Sequence, residues 1–117
     1  MKLFDSELKV MEMLWKHGDL SAGQMAKLLK DAVGWNRNTT YTVIKKCIDK
    51  GAITRHEPNF MCQAAISKDV VRETETNELI DKMFDGSRAQ FFAAFLSDND
   101  LSEEDIRLVK AMLNEFE

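Results

Sequence analysis

No run of apolar residues in this 117-residue chain is long enough to span a bilayer. The opening residues Met1-Lys2-Leu3-Phe4-Asp5 lack the apolar core of a secretory leader, so the expected location is cytoplasmic. Cysteine is scarce, with Cys47 and Cys62 alone. Their separation has no metal-ligand pattern and a reducing compartment disfavours a disulfide, so both read as buried free thiols. Catalytic patterns are missing too: there is no nucleophile–base pair and no phosphate-cradling loop. The length allows one modest core and a satellite, not a cleft between two large domains. His17 stands beside a helix-ending Gly18, and His56 lies between Arg55 and Glu57, positions where histidine is ordinarily structural. A metal site from His56, Glu57 and Cys62 would lack a fourth ligand. The acidic stretch Asp98-Asn99-Asp100 with Glu103-Glu104 lacks the glycine turn and spacing of a calcium loop. The expectation is therefore a protein that is not an enzyme and carries no metal and no cofactor.

What is present is concentrated in residues 20–51. Ser21 can cap a helix while Gln24, three residues on, returns a bond to the cap, and Leu20 can staple onto Met25. Gly34 stands where that helix needs a left-handed residue to stop, and Asn36-Arg37-Asn38-Thr39 offers caps for the next. At 3.6 residues per turn, Thr40, Val43, Ile44, Cys47 and Ile48 form one arc of this second helix, placed at 38–50. Asn38, Tyr41, Thr42, Lys45, Lys46 and Asp49 form the other arc. Amide, hydroxyl, phenol and ammonium groups on one face suit base edges and phosphates in a major groove. A solvated amphipathic helix has the same pattern, so the neighbours decide.

Those neighbours are a first helix at 5–17, with Leu8, Met11, Leu14 and Trp15 at core spacing, and two strand-like runs, 52–56 and 61–66. The turn signal Glu57-Pro58-Asn59-Phe60 separates the runs. Three helices and a hairpin predict a winged helix-turn-helix, with the third helix in the groove and the hairpin tip toward the flanking backbone. Charge agrees. Residues 1–68 hold 11 Lys and Arg against 7 Asp and Glu, net +4, and residues 69–117 hold 5 against 13, net −8. A basic half can attract phosphates, and an acidic half would be repelled by them. The expected domains are a DNA-binding domain at 1–68 and a helical dimerisation domain at 69–117.

The second half reads as helices at 67–84, 87–97 and 102–116. Ser102 caps the last, with Glu103, Glu104 and Asp105 on its positive end. Ile106, Val109, Leu113 and Phe116 repeat at seam spacing. The middle helix carries Phe91, Phe92, Phe95 and Leu96 and is apolar nearly all round, and the helix before it ends in Leu79, Ile80, Met83 and Phe84. So few residues cannot enclose so much apolar surface, so a second copy is the expected cover, giving a homodimer; the other reading is that these helices fold back onto the winged helix within one monomer. Two recognition helices related by a two-fold axis would read a palindrome. The fold class is mainly α with a small β-hairpin.

Several segments in order resemble the penicillinase and methicillin-resistance repressor family of BlaI/MecI type. They are Glu7-Leu8-Lys9-Val10-Met11 with Leu14-Trp15, Gly34-Trp35, 39–42, Lys50-Gly51-Ala52-Ile53, Phe84-Asp85-Gly86-Ser87, Phe95-Leu96, and 100–106. The resemblance implies a winged-helix repressor of a palindromic double-stranded DNA operator. It also implies release by proteolysis in the dimerisation helices through a membrane-bound sensor metalloprotease responding to a β-lactam. The cut would fall between Ala94 and Phe95, where the family has Asn before the Phe. The paired-cysteine motif of the copper-responsive branch is absent. At the start of the recognition helix the family often has Ser-Pro-Lys-Thr, and this chain has Asn36-Arg37-Asn38-Thr39. Arg37 then stands in for the displaced Lys, with Asn38 and Thr42 reaching base edges and Tyr41 a thymine methyl or sugar. The wing tip is Pro58-Asn59-Phe60 in place of Gly-Arg, which shifts the phosphate load to Lys45 and Lys46. With Ser21, Asn36 and Thr39 these are the expected DNA contacts. The rival reading is a winged-helix adaptor that binds another protein and no specific DNA.

Overall fold

The computed structural model of the chain describes residues 1–96 and 101–115. Its elements run α1 (Asp5–His17), β1 (Leu20–Ser21), α2 (Ala22–Val33), α3 (Arg37–Asp49), β2 (Ile53–His56), β3 (Met61–Ala64), α4 (Lys68–Met83), α5 (Arg88–Leu96) and α6 (Glu103–Asn114). Two compact units result, Met1–Glu75 and Thr76–Glu117, the division falling within α4.

The helix starts follow from their caps. Ser21 Oγ accepts from Gln24 N–H at 3.1 Å while Gln24 Oε1 accepts from Ser21 N–H at 2.8 Å, the reciprocal box expected from the sequence. Gly34 is left-handed at φ 74° and ψ 20°, and its N–H closes the end of α2 on the Lys30 carbonyl. Asn36 Oδ1 then accepts from Thr39 N–H at 2.8 Å, so the break between α2 and α3 is three residues long. Consequently α3 begins one residue earlier than expected and ends at Asp49, leaving Lys50 as its C-terminal cap.

The sheet differs from the expected two-stranded hairpin. It has three strands in the order β1-β3-β2, all antiparallel, with Ile53 opposite Ala64 and His56 opposite Met61 on one side of β3 and Leu20 opposite Cys62 on the other. Residues Leu20 and Ser21 are too few to show strand periodicity. They pair because β3 offers a free edge beside the start of α2, and Ala22 N–H extends the contact to the Phe60 carbonyl at 2.9 Å.

One core fills the first unit: Val10, Met11 and Leu14 from α1, Met25 and Leu29 from α2, Val43, Ile44 and Cys47 from α3, and Ile53 and Cys62 from the sheet. Met11, Met25, Leu29 and Ile44 are fully buried, each worth about 1.5–3 kcal/mol of apolar transfer. Trp15 is a half-buried anchor rather than a fully enclosed one, and its Nε1 donates to the Ile66 carbonyl at 2.9 Å, tying α1 to the segment after the sheet. Both cysteines are buried free thiols. Burial pushes Cys47 up to about 12, helped by the nearby Glu7 carboxylate, and pushes Cys62 up to about 11.

In the second unit Gly86 takes the left-handed conformation and separates α4 from α5, its N–H bonding the Ile80 carbonyl at 3.1 Å. Ser102 caps α6 as expected, accepting from Asp105 N–H at 3.0 Å. No described helix is long and apolar enough to cross a membrane.

Candidate nucleic-acid interface

The amphipathic split of α3 is present in three dimensions. Thr40, Val43, Ile44 and Cys47 are buried, and Asn38, Thr39, Thr42, Lys45 and Lys46 are exposed. Among the described residues neither Lys45 nor Lys46 pairs with a carboxylate. Their exposed ammonium groups can act on solvent or on a polyanion. Asn36 is exposed but its side-chain oxygen is occupied by the cap, and the Ser21 oxygen is likewise an acceptor in the cap of α2. Both still have donor hydrogens to offer.

Tyr41 is fixed on two sides. Arg37 Nη2 donates to Tyr41 Oη at 2.8 Å, with the guanidinium 4.9 Å from the ring centre. On its other side Tyr41 meets Phe60 edge-to-face at 5.7 Å. Phe60 in turn carries Arg55, whose guanidinium lies 3.5 Å from the ring centre. Arg55 is held there by Glu57 at 2.6 Å, and Glu57 Oε2 accepts from Phe60 N–H at 3.3 Å. The Arg55 hydrogen bond, then that N–H, hold the Glu57 carboxyl below its ordinary range. The series Arg37–Tyr41–Phe60–Arg55–Glu57 thus bolts the wing to α3. It also neutralises Arg55, so the wing offers little net positive charge. The left-handed backbone at Asn59 and Phe60 turns the Phe60 ring back toward α3. This link was not visible in the sequence, where Phe60 read as part of a turn.

Two further features escaped the sequence. Glu7 is 1% exposed, and its Oε1 accepts from Phe4 N–H at 2.8 Å and from Lys50 Nζ at 2.6 Å. Lys50 therefore turns inward at the helix end and does not belong to the exposed arc of α3. Lys27 and Lys30 of α2, meanwhile, share a notch with Asn36 and Arg37. The histidines serve no common site. His56 Nε2 contacts Gln63 Oε1 across the hairpin, and His17 is exposed at the end of α1. Among the described residues no group of three metal-ligating side chains converges.

Of the apolar residues expected at a dimer interface, Leu79, Met83, Phe92, Phe95, Leu96, Ile106 and Leu113 are exposed large side chains. Phe84, Phe91 and Val109 are half-buried, and Ile80 is buried at 5%. Phe91 organises the aromatic group, meeting Phe84 at 5.4 Å, Phe92 at 5.7 Å and Phe95 at 4.8 Å. Ala94 and Phe95 lie on α5, exposed. Phe116 lies outside the described residues, as does Ser97, where the helix at 87–97 was expected to end.

Similar proteins agree with this geometry. The penicillinase repressor family profile matches residues 3–115. The Penicillinase repressor of Bacillus licheniformis is 26% identical over 116 residues, covering 97% of this chain and 91% of that protein. The Methicillin resistance regulatory protein MecI of Staphylococcus aureus (strain N315) is 23% identical over 115 residues, covering 97% and 94%. Among solved structures, the DNA-binding domain of the repressor BlaI superposes with a TM-score of 0.54 at 29% identity, covering 57% of this chain and 84% of that one. The monomeric form of Bacillus licheniformis BlaI in complex with the blaP half-operator gives a TM-score of 0.52 at 28% identity, covering 59% and 87%. The first unit is a winged helix, and the chain belongs to the penicillinase repressor family, a family of transcriptional repressors and not of enzymes.

Proposed function

We infer that this chain represses transcription by binding a palindromic operator as a homodimer, with α3 in the major groove of each half-site and the wing against the flanking backbone. The observation that carries this reading is the outer face of α3. It presents Asn38, Thr42, Lys45 and Lys46 to solvent with no carboxylate partner for either lysine among the described residues, on a domain whose structural relative binds a half-operator. Asn38 can take an adenine by two hydrogen bonds and the lysines take phosphates. Exposed apolar side chains on α4, α5 and α6 support a second copy as their cover. Pairing would let two recognition helices meet the two half-sites of a palindrome.

We propose release by proteolysis as well, which the resemblance to the family implies. Cleavage between Ala94 and Phe95 would break α5 in its apolar segment and lower dimer affinity, and a monomer loses the avidity of two half-sites. A membrane-bound sensor whose metalloprotease domain faces the cytoplasm is the partner this reading requires.

The experiment is to incubate the purified chain with fragmented genomic DNA from its source at near-physiological salt and sequence what is retained. Enrichment of a two-fold symmetric site near a promoter is the expected result. No enrichment by a folded dimer would replace this reading with that of a protein-binding adaptor.

A further inference from the structure

Lys27 and Lys30 stand one turn apart on α2, and the three-residue connection to α3 brings Asn36 and Arg37 back beside them. Together with Ala26 these residues line a notch of about 300 Å³. Lys27, Asn36 and Arg37 are exposed. Lys30 is exposed as well. Among the described residues none of the three cations has a carboxylate within ion-pair distance. Three like charges around one notch repel one another, and no described carboxylate forms an ion pair with any of them. The complement is an anion.

We propose that this notch seats a phosphodiester of the DNA backbone beside the groove that α3 enters, with Lys27 and Lys30 as phosphate contacts supplied by α2. The assignment rests on the reading of α3 as the DNA-contacting helix. Arg37 is shared between the notch and the N-terminal end of α3, so a duplex lying on α3 passes the notch. Its guanidinium is already oriented by the bond to Tyr41 Oη, which lessens the entropy lost on binding. A free anion is the weaker occupant. The notch is open and its side chains are hydrated, so a small phosphate would gain little over water there. A backbone phosphate arrives held by the rest of the duplex, and its immobilisation is already met by the other contacts. The site is also sequence-neutral, since phosphates position a protein on DNA and base edges specify where.

The test is the double variant K27Q/K30Q in the full chain, titrated over a range of salt against a genomic fragment the wild type retains and against an unrelated duplex. Loss of one phosphate per protomer should reduce the slope of log affinity against log salt by about 0.9, or about 1.8 for a two-fold complex. Affinity should fall by the same factor for both duplexes, leaving their ratio unchanged, and K27R/K30R should restore the wild-type slope. Thermal unfolding should not move, because neither lysine has an ion-pair partner among the described residues. A wild-type slope in K27Q/K30Q, or a changed ratio between the two duplexes, would overturn the assignment. Failure of the wild type to bind either duplex would overturn the DNA reading of α3 and this assignment with it, an outcome distinguishable from binding that ignores the notch.

Discussion

Lys50 Nζ lies 2.6 Å from Glu7 Oε1 and joins the C-terminal end of α3 to the first turn of α1. The same ammonium donates to the Lys2 carbonyl at 2.9 Å and sits 4.3 Å from the centre of the Phe4 ring. Glu7 is almost fully enclosed, and its Oε2 has no partner among the described residues. Burial alone would raise the Glu7 carboxyl, but the Lys50 ammonium and the Phe4 N–H more than offset it and hold it below its ordinary value.

This pair makes K50M the more damaging of two variants. It leaves a buried carboxylate without its cation, at a cost of about 3 kcal/mol, whereas E7Q keeps shape and hydrogen bonds and costs about 1 kcal/mol. The lowered Glu7 value also fixes the pH dependence. Its contribution is full above the ordinary carboxylate value of 4.5 and is lost as pH falls through the lower folded value. Urea unfolding at neutral and acid pH checks this: the gap between wild type and E7Q should narrow at acid pH, and a constant gap would refute the coupling.

On the exposed arc of α3 proposed to meet DNA, R37A/K45A/K46A should weaken binding for any duplex and flatten its salt dependence by about 0.9 for each phosphate no longer neutralised. Arg37 also positions Tyr41. R37A alone should therefore change sequence preference as well as the slope, and a slope change without altered preference would separate the two roles. Fluorescence anisotropy across a salt series measures both.

For assembly, F91S/F95S removes the centre of the aromatic group and one of its exposed members. Sedimentation should show monomers while circular dichroism and the melting of the first unit stay unchanged. A dimeric F91S/F95S would move the interface elsewhere.

The thiols offer a check on the core. With Cys47 pushed up to about 12 and Cys62 to about 11, both are protonated and enclosed at neutral pH. Thiolate is the reactive form. Iodoacetamide should label neither in the folded chain and both in denaturant, and rapid native labelling of either would contradict the packing around α3 and β3.

Local chemistry made much of this protein legible in its residues. The capping box of Ser21 and Gln24, the left-handed Gly34, the Asn36 cap, the two arcs of α3 and the span of α1 depend on neighbours a few positions apart, and sequence carries that information directly. The exposed arc of α3 was readable for the same reason, because helical periodicity alone separates Lys45 and Lys46 from Ile44 and Cys47. Pairings between distant segments were decided by the tertiary structure. Strand β1 exists only because β3 presents an edge to Leu20 and Ser21. Glu7 is buried only because Lys50, 43 residues away, supplies its cation. Phe60 becomes a bolt between wing and helix only when the turn at Asn59 and Phe60 folds its ring onto Tyr41. Lys27 and Lys30 look like the solvated face of a helix until the turn after Gly34 sets Arg37 beside them. Periodicity reports which way a side chain faces from its own helix, and packing alone reports what it meets there.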